Sequence, residues 1–235
     1  MSHSMGRREM IGAAGAAMVA GALGSGAVAQ ESKAQRKVIG INSSPRKGKT
    51  TAAALTVCLE AVQELDPKLD VELIELADFS IPAQLAAGQP LKAGEADDFP
   101  KLVERLGDPA VVGIIVGSPV YFGNMSALCK AFLDRCGAFR SDGFKLRNKV
   151  GGVLAVGSAR NGGQELTIRS IQTALMCQDM IIVGDGQPSA RIGATLWNQN
   201  DSIAEDAFGT DTAKNLGRRV AELARMFASA EATNV

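Results

Sequence analysis

Short apolar segments that are typical of strands alternate with longer segments that are typical of helices. The predicted strands are Lys37–Ile41, Asp70–Leu76, Ala110–Gly117, Val150–Gly157 and Ile181–Val183. The predicted helices are Thr51–Leu65, Asp97–Leu106, Ser126–Cys136 (with Ser126 as its cap), Gln164–Met176 and Asp211–Ala230. The third and fourth strands are continuously apolar, which is typical of central parallel strands buried on both faces. This alternation predicts one doubly wound α/β domain with a five-stranded parallel sheet and helices on both faces.

Two connections are long for plain loops and are rich in residues that disfavour regular structure. They are Ala77–Gly94 and Ala190–Thr210. Long loops in compact domains are usually functional. We expect each of these segments to act as a lid or as a subunit contact.

Composition narrows the possible functions. The chain has 235 residues, of which 46% are hydrophobic, enough for one sizeable core. Its 25 basic and 25 acidic residues give no global attraction to nucleic acid or to anionic membranes. After the N-terminal segment no run of apolar residues is long enough to span a bilayer.

The first 29 residues resemble a secretory signal of the twin-arginine type. Arg7 and Arg8 precede a weakly apolar stretch, and a small-x-small site ends at Ala29. We therefore expect an exported, periplasmic protein, cleaved after Ala29, with a single domain over residues 30–235. The one histidine, His3, would be removed, which excludes histidine-based catalysis and histidine-ligated metals.

The four cysteines, Cys58, Cys129, Cys136 and Cys177, form no C-x-x-C pair. Cys129 and Cys136 share a predicted helix and stand seven residues, or roughly 10 Å, apart, which is too far for a disulfide. Buried structural thiols are the favoured interpretation, and no metal site or cluster is predicted.

The segment Ser43–Thr51 follows the first strand and opens the first helix, which is the place where a helix N-terminus binds phosphate. It nearly matches a nucleotide P-loop, but Ser43 replaces the first glycine, and the next buried strand has no aspartate for magnesium. The alternative is a monophosphate site with hydroxyl donors and a guanidinium. Its predicted donors are Ser44, Arg46, Thr50 and Thr51. The alternative without a ligand is an ordinary capped helix start with solvated basic residues.

Two further loops follow the central strands. One contains Pro119, Val120, Tyr121, Phe122, Gly123 and Asn124, and the other contains Gly157, Ser158, Gly162 and Gly163. Ligands of parallel sheets bind at the carboxyl ends of the strands. The glycines permit close backbone approach, and the two aromatic side chains could wall a flat heterocycle. Arg160 could face a ligand anion or solvent, and a packed surface turn is the alternative for Tyr121 and Phe122.

These loops carry a family resemblance. Ser44-Pro45-Arg46-Lys47 followed by Thr51 resembles the phosphate motif of the NADPH-dependent FMN reductase group of flavodoxin-like proteins. The run Pro119-Val120-Tyr121-Phe122-Gly123-Asn124-Met125-Ser126-Ala127, with Lys130–Arg135, is similar to its second motif. Gly162-Gly163-Gln164-Glu165 resembles the third, and the whole resemblance runs from about Lys37 to about Arg225.

The resemblance implies a flavodoxin-like sheet with strand order 2-1-3-4-5 and non-covalently bound FMN. The phosphate would sit at Ser44, Arg46, Thr50 and Thr51, the ring along Pro119–Asn124, and the Gly157–Gly163 loop would cover the ring's other side. Lys49 and Ser43 depart from the family pattern. The cluster cysteines of iron–sulfur flavoproteins, which are related to this group, are absent from Ala77–Gly94, so no cluster is expected.

The function that follows is an oxidoreductase in which FMN takes electrons from NAD(P)H and passes them to a quinone, a flavin or another small acceptor. No side chain is assigned a catalytic role, because the chemistry belongs to the cofactor. A homodimer or homotetramer is expected. The alternatives are an exported electron carrier, which the near-neutral charge disfavours, and a binding module that has kept the fold.

Overall fold

The computed structural model describes residues 35–233, with side chains through residue 227. The strands are β1 Lys37–Asn42, β2 Asp70–Glu75, β3 Val111–Pro119, β4 Val150–Gly157, β5 Ile181–Ile182 and β6 Ala194–Trp197. The α-helices are α1 Thr50–Leu65, α2 Phe99–Gly107, α3 Ala127–Arg135, α4 Gly137–Ser141, α5 Gln164–Met176 and α6 Ala207–Thr233. Two 3₁₀ segments, Leu76–Asp78 and Ala83–Ala87, lie between β2 and α2. The predicted signal segment lies outside the described residues.

All strand pairs are parallel, and the order β2-β1-β3-β4-β5 confirms the predicted topology. The fifth position differs from the single strand expected, because it is divided between two short strands. β5 pairs with Val150 and Gly151, and β6 pairs further along β4, from Leu154 to Gly157. The segment predicted as the insertion Ala190–Thr210 therefore contains a strand. The sheet keeps five positions and gains a sixth strand.

An excursion between β5 and β6 explains the divided position. The buried carboxylate of Asp185 accepts hydrogen bonds from Ser189 Oγ (2.5 Å) and from the backbone N–H of Arg191. The Asp185 N–H also donates to the Arg191 carbonyl (3.1 Å). These bonds close a small loop that returns the chain to the edge of β4. Four residues of β6 carry too short a pattern to mark a strand in sequence.

Each face of the sheet has its own apolar core. One core packs α2, α3, α4 and α5 against the sheet, with Phe99 between Phe132 and Phe139 at centroid distances of 6.0 Å. The other packs α1 and α6 against the opposite face. There the thiol of Cys58 donates to the carbonyl of Ala213 at 3.1 Å. Within residues 35–233 no helix has the length and apolarity needed to cross a membrane.

Two helix starts are fixed by side-chain caps. Ser126 Oγ accepts from the Cys129 N–H at 3.0 Å, which confirms the predicted cap. Asp206 Oδ1 accepts from the Gly209 N–H at 2.9 Å, so α6 begins at Ala207 rather than at the predicted Asp211. Capping by a buried aspartate therefore extends the final helix by one turn.

The cysteines give a first testable result. Cys58, Cys129 and Cys136 are buried, Cys177 is exposed, and all four are free thiols. Burial raises the pKa of Cys129 to about 12 and raises the pKa values of Cys58 and Cys136 as well. We expect iodoacetamide to alkylate Cys177 alone in the native protein and all four after denaturation. Mass spectrometry of the labelled protein checks this, and native labelling of a buried thiol would contradict it.

A buried lysine, Lys149, gives a second testable prediction. Lys149 lines a cleft of about 750 Å³ at the amino ends of the strands, and its Nζ donates to the carbonyls of Asp108 (2.7 Å) and Val111 (2.6 Å). Burial lowers the pKa of Lys149 to about 8. In the unfolded chain the Lys149 side chain has the ordinary lysine pKa of about 10.4. Between about pH 8 and 10.4 it is therefore protonated in the unfolded chain but has lost its proton in the folded chain. The free energy of unfolding should therefore rise with pH between about 8 and 10.4.

The matching experiment is urea denaturation of the wild type and of Lys149→Met at several pH values between 7 and 10.5. Subtracting the two curves removes the other titrating groups. The free energy of unfolding of the wild type minus that of Lys149→Met should increase as pH rises through this window. A difference that does not change with pH would contradict a lowered Lys149 pKa.

Candidate functional site

The loops after β1 and β3 are tied together at the carboxyl edge of the sheet. Ser43 donates from both its N–H (2.9 Å) and its Oγ (2.7 Å) to the carbonyl of Gly117. Ser126 Oγ in turn donates to the carbonyl of Ser43 at 2.6 Å. Ser43 is fully buried in this network. The residue that replaces the P-loop glycine is therefore a structural link between two loops.

Two residues that the sequence did not single out shape the first loop. Asn42 Oδ1 accepts from the Ser44 N–H (3.0 Å), and Asn42 Nδ2 donates to Glu75 (2.5 Å). Glu75 also accepts from the Gly48 N–H at 3.1 Å. Ser44 Oγ accepts from the Arg46 N–H at 3.1 Å. Asn42 and Glu75 face each other in register at the ends of β1 and β2, which is the signal that could have identified them.

The first turn of α1 has the donors of an anion site. Its N-cap, Lys49, supplies no side-chain cap, so the first N–H groups of the helix lack a capping acceptor. Thr50 and Thr51 are both buried residues, and neither hydroxyl hydrogen-bonds to another group in the described part of the chain. Each hydroxyl keeps some exposed surface, because neither is among the fully buried polar atoms without a partner. Two unpaired hydroxyls beside free helix N–H groups fit a phosphate ester.

Two cations stand beside this turn. Arg46 and Lys49 are half-exposed, and each forms an ion pair with Asp201, at 2.8 Å and 2.9 Å respectively. The hydrogen bond from Lys49, with the charge of Arg46, lowers the pKa of Asp201. Lys47 turns away and pairs with Asp78 at 2.5 Å. Arg46 and Lys49 therefore share one anion, so Lys49 belongs to the charged group at this loop.

The second loop is a tight turn that projects its aromatic side chains. The N–H of Tyr121 donates to the carbonyl of Asn124 (2.8 Å), and the reverse bond is 3.1 Å. Phe122 and Gly123 between them have positive φ, as a two-residue turn with a right-handed strand twist requires. Tyr121 is half-exposed and Phe122 fully exposed. Both rings stand at the surface of the carboxyl edge.

The third loop is held by Gln164 and touches the second. Gln164 Nε2 donates to the carbonyls of Ala159 (2.6 Å) and Leu196 (3.1 Å), while its Oε1 accepts from the Gly162 N–H (2.9 Å). Gly163 adopts φ +103°, and a Cβ there would lie 2.7 Å from the Cα of Gly123. The glycine motif therefore allows two loops to meet through backbone.

Arg160 forms an ion pair with a buried carboxylate. Its guanidinium pairs with the fully buried carboxylate of Asp206 and lies 5.8 Å from the Trp197 ring and 5.7 Å from the Phe208 ring. Trp197 also donates from its indole N–H to the Ser158 carbonyl at 3.0 Å. This ion pair gives Arg160 a structural partner that the sequence did not show, because Asp206 is far from Arg160 in the sequence.

The predicted residues thus gather on three loops at one edge. Ser44, Arg46, Thr50 and Thr51 form the first group, Pro119–Asn124 the second, and Gly157–Gly163 the third. The first and second groups are joined through Ser43 and Ser126, and the second and third through Gly123 and Gly163. This arrangement has a phosphate end and a flat backbone end. It suits an elongated ligand with a terminal phosphate.

Comparison with known proteins shows the family and the cofactor class of this chain. The family model described as NADPH-dependent FMN reductase matches residues 36–195. The chain belongs to the NADPH-dependent FMN reductase family. An iron-sulfur flavoprotein of Methanocaldococcus jannaschii is 39% identical over 81% of this chain and 98% of its own. Membership identifies FMN as the flavin and an oxidoreductase as the class of protein, in line with the resemblance of the three loops.

Other similar proteins match this chain over a shorter stretch or at lower identity. An NAD(P)H dehydrogenase (quinone) of Chromohalobacter salexigens is 36% identical over 48% of this chain and 55% of its own. Among solved structures, RosB with a bound intermediate has a TM-score of 0.64 at 17% identity, covering 83% of this chain and 81% of that one. The apo form of an NADH:FMN oxidoreductase (EMOB) has a TM-score of 0.58 at 20% identity, with coverages of 79% and 88%. At such identities the structures show a shared fold alone.

The relative named as an iron-sulfur flavoprotein raises the question of where the cysteines of this chain lie. Cys129 and Cys136 lie in the core on one face of the sheet, and Cys58 lies in the core on the other. Cys177 is exposed just after α5. Among the described residues, no three side chains of metal-ligating type come together. The four thiols therefore lie in three separate places of the described fold.

Proposed function

We propose that this FMN reductase oxidises NAD(P)H and passes the electrons to a quinone, a flavin or another small acceptor. The observation that carries the proposal is the first turn of α1, where the hydroxyls of Thr50 and Thr51 and the uncapped N–H groups lie beside Arg46 and Lys49. When bound there, FMN supplies the redox chemistry, accepting electrons from one substrate and donating them to another.

The protein's own residues bind and orient the flavin. Thr50, Thr51, Ser44 and Arg46 would hold the phosphate, and the backbone of Pro119–Asn124 and Gly157–Gly163 would flank the ring. No histidine follows position 3, so no imidazole acts as acid or base in the domain. This composition suits a site whose contribution is binding, orientation and access.

Two observations support a small second substrate. Tyr121 and Phe122 are exposed beside the loops that would flank the ring. The family description names NADPH, and the relative from Chromohalobacter is named for NAD(P)H and quinone. The test is NADH and NADPH oxidation by the FMN-loaded protein with a quinone or free FMN as acceptor. Flavin binding without oxidation of either nucleotide would contradict the enzyme and favour an electron carrier.

We also propose that the chain is exported by the twin-arginine route and works as a homodimer or homotetramer. The motif at Arg7 and Arg8 supports export, and the full exposure of Phe122 supports assembly through this edge. Arg7→Lys/Arg8→Lys should retain the protein in the cytoplasm, as cell fractionation would show. Light scattering coupled to gel filtration should give a mass of two or four chains, and a monomer would contradict assembly.

A further inference from the structure

A small acidic turn reaches the phosphate loop from β6. Gln199 and Ser202 exchange two backbone hydrogen bonds, of 2.8 Å and 2.9 Å. Asn200 and Asp201 between them have φ values of +50° and +64°. This is the geometry of a tight two-residue turn, in which Asn and Asp tolerate the left-handed region. The turn therefore presents the Asp201 side chain from a defined backbone position.

Asp201 uses one carboxylate oxygen for each cation of the loop. Oδ1 lies 2.8 Å from Arg46 and Oδ2 lies 2.9 Å from Lys49. The same contacts lower the pKa of Asp201, so the carboxylate is ionised at neutral pH. In the described part of the chain, the side-chain contacts of the Asp201 carboxylate are those with Arg46 and Lys49. The carboxylate thus engages the charged part of the phosphate site and leaves its hydroxyls and helix N–H groups available.

A phosphate dianion on the first turn of α1 would need the same two cations. Two anions that share one pair of cations repel each other, because like charges at short range disfavour joint ionisation. We propose that Asp201 competes internally with the FMN phosphate for Arg46 and Lys49 and so limits both the affinity for FMN and the preference for FMN over riboflavin. This inference rests on the proposed flavin function.

The competition should be moderate. The two ion pairs are half-exposed, and exposed pairs contribute little each because solvent screens them. Removing the carboxylate should therefore tighten FMN binding by about tenfold. Riboflavin lacks the phosphate, so its affinity should stay unchanged. A selective gain of this kind separates competition for the phosphate from a general change in the loop.

The experiment is titration of the apoprotein with FMN and with riboflavin, in which binding is monitored by the quenching of flavin fluorescence. Asp201→Asn removes the charge and keeps a residue that tolerates positive φ. The matched control is Asp78→Asn, which removes the same charge from the ion pair with Lys47, the neighbouring lysine of the same loop. We expect about tenfold tighter FMN binding in Asp201→Asn, no change for riboflavin, and little change in the control.

Three outcomes would overturn the inference. These are unchanged or weaker FMN binding in Asp201→Asn, an equal gain for riboflavin, or an equal gain in Asp78→Asn. A further variant, Arg46→Ala/Lys49→Ala, removes the cations for which Asp201 competes, and adding Asp201→Asn to it should then bring a smaller gain than in the wild type. If the wild type binds no FMN at all, the proposed flavin function fails instead, so the two failures are distinguishable.

Discussion

Replacing Thr50 and Thr51 together by valine should weaken FMN binding at least a hundredfold and leave the protein folded. Both residues are buried at the start of α1, and neither hydroxyl has a partner among the described residues. Each hydrogen bond to a charged phosphate contributes about 1.5–3 kcal/mol. Valine keeps the shape of threonine, so the apoprotein loses no hydrogen bond and should keep its melting temperature.

The control for this pair lies in the same helix. Thr56 Oγ1 donates to the carbonyl of Ala52 at 3.1 Å, so Thr56→Val makes the same chemical change away from the loop. FMN titration of the three proteins, with thermal unfolding of each apoprotein, measures both effects. If Thr50→Val/Thr51→Val binds FMN as the wild type does, the phosphate does not sit on the first turn of α1.

Replacing Gly163 by alanine should both destabilise the protein and impair flavin binding. Gly163 has φ +103°, and an added Cβ would lie 2.7 Å from the Cα of Gly123. Backbone cannot yield as a flexible side chain does, so the second and third loops must separate. We expect a loss of about 2–4 kcal/mol in the free energy of unfolding and at least tenfold weaker FMN binding.

Gly143→Ala is the matched control, because it introduces the strain of positive φ without a steric clash. Gly143 also has positive φ (+70°), but a Cβ there would meet nothing within 4 Å. Alanine at this position should cost about 1 kcal/mol and leave flavin binding intact. Urea denaturation and FMN titration of both variants make the comparison. Equal effects in the two variants would show that the contact between Gly163 and Gly123 does not shape the site.

Much of the fold follows from local patterns. Long apolar runs identify β3 and β4, and β4 and α5 have the predicted bounds, Val150–Gly157 and Gln164–Met176. These elements are predictable because the apolar residues that become buried are close together in the sequence. β6 escaped prediction because it has four residues, and because its place in the sheet depends on the loop that Asp185 closes.

The site divides in the same way. The position of Thr50 and Thr51 at the start of α1 could be predicted, because a helix start after a buried strand is a local signal. The partners of Arg46, Lys49 and Arg160 could not, because Asp201 and Asp206 stand far away in sequence and are brought near only by β6 and α6. Charge pairing across the fold is therefore where the sequence alone left the site incomplete.

The most direct test of the account is equilibrium titration of the refolded apoprotein with FMN, with the wild type and Thr50→Val/Thr51→Val measured side by side. We expect the wild type to bind one FMN per chain, with a change in flavin absorbance and fluorescence, and the variant to lose most of this affinity while remaining folded. A folded wild type that neither retains nor binds FMN would contradict it.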